Sequence, residues 1–383
     1  MTHWRESKLP GVGTTIFTRI SRQANELGAI NLSQGFPDYR PDEALLRLTY
    51  QAMLAGANQY APLAGSPALL QVIHDHLKAT YHLEYDPAQE ITITAGATQA
   101  IYTALSALVY PGDEVLFFEP VFDSYRPAIL THLGVPVPVV LEPPFDHLDW
   151  DRLMQAITPR TRGIIINSPH NPTGYTWTDA DYRQLEVIAG KYDLWVISDE
   201  VYEHLVFDGE HHRTALSYPG LYDRSITCFS FGKSLHITGW KIGYVVGSKT
   251  MTARFRQVHQ FTVFVVNHPA QVGIANYVTE NQPFGRLAPF FEQKRNLLKV
   301  QLAETPFKLF NPQGTYFLVA DYSDIRDVPD EEFVRWLMQE CGIATIPMSA
   351  FYTAPNDHRL VRFCFAKKDE TLEEAGRRLE KLV

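Results

Sequence analysis

Seven short apolar runs constrain this chain more than any other feature. They lie at 91–94, 114–118, 135–140, 163–167, 195–198, 225–230 and 242–246. They are rich in β-branched or aromatic residues and flanked by turn or helix signals, which is how buried strands read. Helix-like segments at 98–109, 149–157, 178–191 and 250–260 fall between them. Such alternation predicts an α/β layered fold around a mostly parallel seven-stranded sheet, because parallel neighbours need long crossover connections.

The chain has 383 residues, more than one ordinary core of roughly 150. After about Tyr277 its texture changes: an amphipathic stretch at 292–302 precedes strand-like runs at 314–321 and 359–365. A last amphipathic segment, 370–382, places Leu372, Leu379 and Leu382 on a packing face. The expected organisation is an amino-terminal arm with part of a small domain (1–40), a large domain (41–277) and a small α+β domain (278–383).

Composition narrows the partners. A net charge of −9 offers no basic field for a polyanion, so no nucleic acid is expected. The first 15 residues contain Arg5, Glu6 and Lys8 but no secretory apolar run, and no apolar stretch reaches roughly 18 residues, so no membrane span is expected either. Cys228, Cys341 and Cys364 show no C-x-x-C spacing. An odd, sparse set fits free thiols in a reducing compartment, and a cytoplasmic location is expected.

In open α/β sheets ligands collect beyond the carboxyl ends of the strands, and several strand ends here are unusual. Thr94-Ala95-Gly96-Ala97-Thr98 is a small-residue turn into a helix, where bare amides attract a phosphate; it is equally the shape of an ordinary tight connection. Phe122 follows a strand end and either stacks on a flat ligand or packs in the core. The octet Asn167-Ser168-Pro169-His170-Asn171-Pro172-Thr173-Gly174 is a long turn in which Asn171 is able to donate to a phenolate. Asp199, with Tyr202 three residues on, is either a helix N-cap or a buried carboxylate that needs a cation such as a protonated pyridine nitrogen. In Ser230-Phe231-Gly232-Lys233-Ser234 a lysine held in an apolar site loses its proton easily and turns nucleophilic toward an aldehyde. Lys241, in Thr238-Gly239-Trp240-Lys241-Ile242-Gly243, joins Ser230 as a phosphate ligand; a solvated surface charge is the ordinary fate of a lone lysine.

These elements, in this order, resemble the fold type I aminotransferases, in the class I branch that holds kynurenine aminotransferase, glutamine transaminase K and bacterial methionine aminotransferase. The likeness covers nearly the whole chain and includes Asn31-Leu32-Ser33-Gln34-Gly35-Phe36-Pro37-Asp38, Asn58-Gln59-Tyr60, Pro312-Gln313-Gly314-Thr315-Tyr316-Phe317 and Val361-Arg362-Phe363-Cys364-Phe365. It implies pyridoxal 5'-phosphate as cofactor and a homodimer with shared active sites. By the same resemblance Lys233 is the attachment lysine and proton carrier, Asp199 pairs with the pyridinium nitrogen, Asn171 and Tyr202 hold the phenolic oxygen, and Phe122 stacks on the ring. Ala97, Thr98, Ser230 and Lys241 take the phosphate, with Tyr60 reaching it from a second subunit. Arg362 clamps the substrate α-carboxylate, helped by Asn171 and the Gly35 backbone, through a fork that lysine does not reproduce.

The expected reaction is transamination between an L-amino acid and a 2-oxo acid. No second arginine presents itself for a distal carboxylate, whereas Phe17, Phe36, Tyr60, Tyr125 and Phe351 are able to line an apolar pocket, so methionine and aromatic donors are favoured. Kynurenine–oxoglutarate transamination and cysteine-conjugate or cystathionine β-lysis are the alternatives on the same scaffold. Residues 258–271 look closer to the bacterial methionine-type enzymes, and their second-subunit contacts stay unassigned. A transcription regulator of the same lineage carries a basic helix-turn-helix module ahead of the catalytic region, which the short arm leaves no room for.

Overall fold

The computed structural model describes residues 7–10, 12–354 and 356–382. Residues 1–6 and 11 of the expected arm, Arg5 and Glu6 among them, lie outside the described residues, as do residues 355 and 383 of the expected small domain. The seven expected strands form one sheet: β1 (Ile91–Thr94), β2 (Glu114–Glu119), β3 (Val135–Val140), β4 (Thr161–Asn167), β5 (Trp195–Asp199), β6 (Ser225–Ser230) and β7 (Gly243–Gly247), in the spatial order β1-β7-β6-β5-β4-β2-β3. Pairing from β6 through β3 is parallel, and β7 alone runs against both neighbours. Every residue of β1, β2, β5's last four and β7 is buried, so these strands are covered on both faces rather than alternating between core and solvent. Gly163 in β4 is needed for this packing, since a Cβ there would sit 2.1 Å from the indole of its partner Trp195.

Helices cover both faces, and their starts follow local chemistry. Asp179–Tyr192 opens on a capping box: the Thr178 hydroxyl accepts from the Asp181 amide, while Thr178 N donates to the Asp181 carboxylate at 2.8 Å. Gly96–Leu108 differs, because its N-cap residue Ala95 has no side chain to offer. Its first amides are therefore left for another partner.

A second sheet of β8 (Lys308–Leu309), β9 (Phe317–Asp321), β10 (Ile346–Pro347) and β11 (Leu360–Cys364) is antiparallel, in the order β10-β11-β9-β8. The run expected at 314–321 begins as strand only at Phe317. Thr315 adopts a φ of 69°, and Gly314 and Thr315 donate instead to the carbonyls of Gly174 and Leu205 at 3.0 Å. One apolar cluster joins the two sheets, with Phe118 and Ile166 on one side and Phe317 and Phe363 on the other. The amino-terminal arm is tied in through helix Ile16–Leu27 and the strand Ile30–Asn31, which pairs in parallel with Ile343–Ala344. Its continuation crosses β11, where Cys364 N donates to Leu32 O at 2.8 Å. Among the described residues no helix is long and apolar enough to cross a membrane.

Candidate active site

Register brings the polar strand ends to one edge of the large sheet. Thr94, Gly243 and Ser230 are direct cross-strand partners, and Asn167 lies beside Asp199. Because β7 is antiparallel, its beginning rather than its end reaches this edge, and two residues before it stands Lys241, held at a φ of 57°. The small sheet and the arm close the other side, leaving a cavity of about 310 Å³.

Of the residues expected from the sequence, Phe17, Gly35, Ala97, Thr98, Phe122, Asn171, Asp199, Tyr202, Ser230, Lys233, Lys241 and Arg362 all line this cavity. Four expected residues do not. Tyr125 is 1% exposed and sits behind the wall, where its hydroxyl donates to Asp199 Oδ2 at 2.5 Å. It is thus a support for the carboxylate and not a wall for substrate, since the turn after β2 directs its ring inward while Phe122, edge-on to it at 6.0 Å, faces the cavity. Tyr60 is 80% exposed, packed edge-to-face on Phe264 and away from its own chain's cavity. Phe36 and Phe351 also leave the expected pocket wall: Phe36 is largely exposed, and Phe351 is buried beneath the Arg362 guanidinium at 4.8 Å.

Lys233 Nζ donates to Tyr316 Oη at 2.8 Å and lies 3.3 Å from Gly35 O, to which the Tyr316 hydroxyl also donates. Burial pushes its ammonium down to about 8. Asp199 makes no ion pair among the described residues. Burial raises its carboxyl to about 6, opposed by the Tyr125 hydroxyl and the Val201 amide. Arg362 is 1% exposed and likewise unpaired: Nη1 donates to Asn171 Oδ1 at 2.6 Å, Nη2 to Ser33 O at 3.2 Å, and Nε has no partner. Its guanidinium stacks 3.7 Å from the centre of the Phe317 ring.

Two residues that sequence reasoning left without a role complete the frame. Asn167 Nδ2 donates to Asp199 O at 2.7 Å, and its Oδ1 accepts from the Asn171 amide at 2.7 Å. It is a polar residue ending a strand, the same signal that marked Asp199. Tyr316, in a motif quoted only as a whole, is identifiable as the one hydroxyl in the run Tyr316-Phe317-Leu318-Val319.

The cavity holds a buried carboxylate without a cation, a buried guanidinium without an anion and an amine of lowered basicity. A flat cationic heterocycle with a phosphate and an aldehyde fits this set. Asp199 would face the ring nitrogen, and the uncapped amides of Gly96–Leu108 would face the phosphate. Lys241 already reaches over Gly96, where an added Cβ would come 3.3 Å from its Nζ.

The family model described as aminotransferase class I and II matches residues 28–379. The chain is 44% identical to the methionine aminotransferase of Escherichia coli, with 98% of each chain covered. It is 34% identical to kynurenine–oxoglutarate transaminase 1 of Rattus norvegicus, with 98% of this chain and 97% of the relative covered. The structure of N-succinyldiaminopimelate aminotransferase from Mycobacterium tuberculosis superposes with a TM-score of 0.94 at 40% identity, covering 99% of this chain and 100% of the other.

Proposed function

The chain belongs to the class I and II aminotransferases, enzymes dependent on pyridoxal 5'-phosphate, and on that footing we propose that it moves the amino group of methionine and aromatic L-amino acids to a 2-oxo acid. One observation carries the assignment of the centre: the amine of Lys233, paired with no carboxylate among the described residues, shares a cavity with the likewise unpaired Asp199. When bound, the cofactor supplies an aldehyde that takes up the amino group and a ring that accepts the electron pair left at the substrate α-carbon.

Lys233 would serve twice, as the attachment point and as the base whose Nζ takes up and releases the substrate Cα proton. Its lowered basicity suits it to hold and release a proton near neutral pH. Tyr316 receives the amine hydrogen at 2.8 Å and keeps Nζ aimed at the cavity. Asp199 would keep the ring nitrogen protonated, and Tyr125 and Asn167 hold Asp199 in place. Asn171 and Tyr202 would face the phenolic oxygen, and Phe122 would cover the ring. Ala97, Thr98, Ser230 and Lys241 would hold the phosphate.

Arg362 receives the substrate α-carboxylate, with Asn171 and the Gly35 segment of the arm flanking it. The rest of the wall is supplied by Phe17, Ile101, Phe122 and Phe317, and Arg362 is the only arginine among the described lining residues. An apolar wall without a second guanidinium supports donors that carry no distal carboxylate.

The working unit we propose is a homodimer. Phe264, 49% exposed, packs against the exposed Tyr60, and Phe261, three residues before it, is 86% exposed. Aromatic rings gathered this way favour burial against another copy, whose phosphate site Tyr60 would complete. Three buried free cysteines support a reducing, cytoplasmic setting. The test is a donor panel against several 2-oxo acids. Methionine and aromatic donors should exceed aspartate and glutamate by tenfold or more in kcat/KM; dicarboxylic preference, or pyruvate release from β-substituted donors in a lactate-dehydrogenase-coupled assay as the main activity, would overturn the reading.

A further inference from the structure

Outside the cavity, three metal-ligating side chains converge on one point. Glu203 is 5% exposed, and two imidazoles present Nε2 to its opposite oxygens, His76 to Oε2 and His204 to Oε1, each at 3.5 Å. All three donor atoms lie within 4.8 Å of one another. A separation of 3.5 Å is long for an N–H to oxygen hydrogen bond, which spans about 2.7–3.2 Å. It matches the edge, about 3.4 Å, of a tetrahedron whose metal–ligand bonds are about 2.1 Å.

The surroundings fix this set as ligands are fixed. His76 Nδ1 lies 3.2 Å from Thr80 Oγ1, and in the tautomer whose ring hydrogen is donated there Nε2 keeps its lone pair for a metal. That Nε2 is buried and has no hydrogen-bond partner among the described residues. In that tautomer the lone pair faces a carboxylate oxygen, an arrangement that a cation between them satisfies. The carboxylate is anchored from behind by the hydroxyls of Tyr81 and Tyr244, which donate to Oε2 and Oε1 at 3.1 Å. The His204 ring is stacked on Phe284 at 4.3 Å, 12° from parallel.

We propose that His76, Glu203 and His204 bind one divalent transition-metal ion, Zn²⁺ by the chemistry of the donors, with water as fourth ligand. Two imidazoles and a carboxylate select Zn²⁺ or Co²⁺ over Mg²⁺ and Ca²⁺, which take oxygen ligands. The His76 and His204 side chains are 11% and 8% exposed, so the set lies just beneath the surface. Bound there, it clamps helix Pro67–Tyr81 to the segment following β5, one residue beyond Tyr202. None of the three ligands lines the catalytic cavity, so the role is structural.

The probe is Co²⁺ added to tag-free holoenzyme, followed by equilibrium dialysis, metal analysis and visible spectroscopy. One Co²⁺ per chain with the intense d–d absorption of a tetrahedral site is expected, displaced by Zn²⁺. The thermal midpoint should rise with metal concentration. In His76→Gln the absorption, the bound equivalent and the thermal shift should disappear while transamination in metal-free buffer stays as in the parent. Wild-type protein that retains no Co²⁺ after dialysis, or binding unchanged in His76→Gln, would overturn the site.

Discussion

Tyr125 Oη donates to Asp199 Oδ2 at 2.5 Å, and this is the shortest polar contact that the Asp199 carboxylate makes among the described residues. The hydroxyl steadies the ionised form of a carboxyl that burial would otherwise neutralise. Tyr125→Phe removes that donor and keeps the ring. The expected result is tighter proton retention by Asp199, weaker cofactor binding and a fall in kcat of about tenfold, the scale of one hydrogen bond to a charged group at about 1.5 kcal/mol. Cofactor release on dialysis and steady-state kinetics check it; a variant with parental cofactor retention and kcat would remove Tyr125 from the support of Asp199.

Arg362 presents a different balance, since its charge is desolvated and has only amide and carbonyl oxygens as partners. Burial lowers its guanidinium to about 10, still charged at neutral pH. Arg362→Ala should weaken amino-acid binding by about 2 to 5 kcal/mol, seen chiefly in KM, because the substrate carboxylate would be buried unpaired. Arg362→Lys should recover little of this, as an ammonium lacks the fork. Parental KM in either variant would place the carboxylate elsewhere.

Lys233 makes stability depend on pH in a defined direction. Burial pushes its ammonium from 10.5 to about 8, so in the cofactor-free protein the charged form destabilises the fold below about pH 8. That penalty, at most about 3 kcal/mol, fades as pH rises from about 8 toward 10.5, where the unfolded chain also loses the proton. Lys233→Met, freed of the charge, should be more stable than the parent near neutral pH, with the gap closing through that window. Thermal midpoints of the two cofactor-free proteins give the comparison, and a gap that ignores pH would rule out the desolvated amine.

Tyr60 and Lys233 should complement each other across subunits. Tyr60→Ala alone should bind cofactor weakly, and Lys233→Ala alone should be inactive. In a hybrid of the two, one site receives an intact Tyr60 and an intact Lys233, so about half the parental activity is expected per hybrid dimer. A hybrid no more active than its parents would show that Tyr60 serves only its own chain.

Much of this was readable in the sequence because the large sheet is covered on both faces, which turns its strands into unbroken apolar runs ending in isolated polar residues. Asp199 and Lys233 stood out beside such strand ends and Asn171 in the long turn that follows one, whereas Arg362 was marked only by the resemblance carried by Val361-Arg362-Phe363-Cys364-Phe365. Tyr125 was misread because a turn's sequence does not say which side of the sheet a ring will face; only the contact with Asp199 shows it. The two-residue strands Lys308–Leu309 and Ile346–Pro347 are too short to carry a period and were invisible. The cluster of His76, Glu203 and His204 joins positions more than a hundred residues apart, and folding alone brings them together.

The most direct measurement is borohydride reduction of the purified holoenzyme followed by peptide mass spectrometry. A phosphopyridoxyl group on Lys233, one per chain, and its absence in Lys233→Ala are expected. A colourless protein that stays so when pyridoxal phosphate is added, or a reduced adduct on any other lysine, would contradict the assignment of the centre.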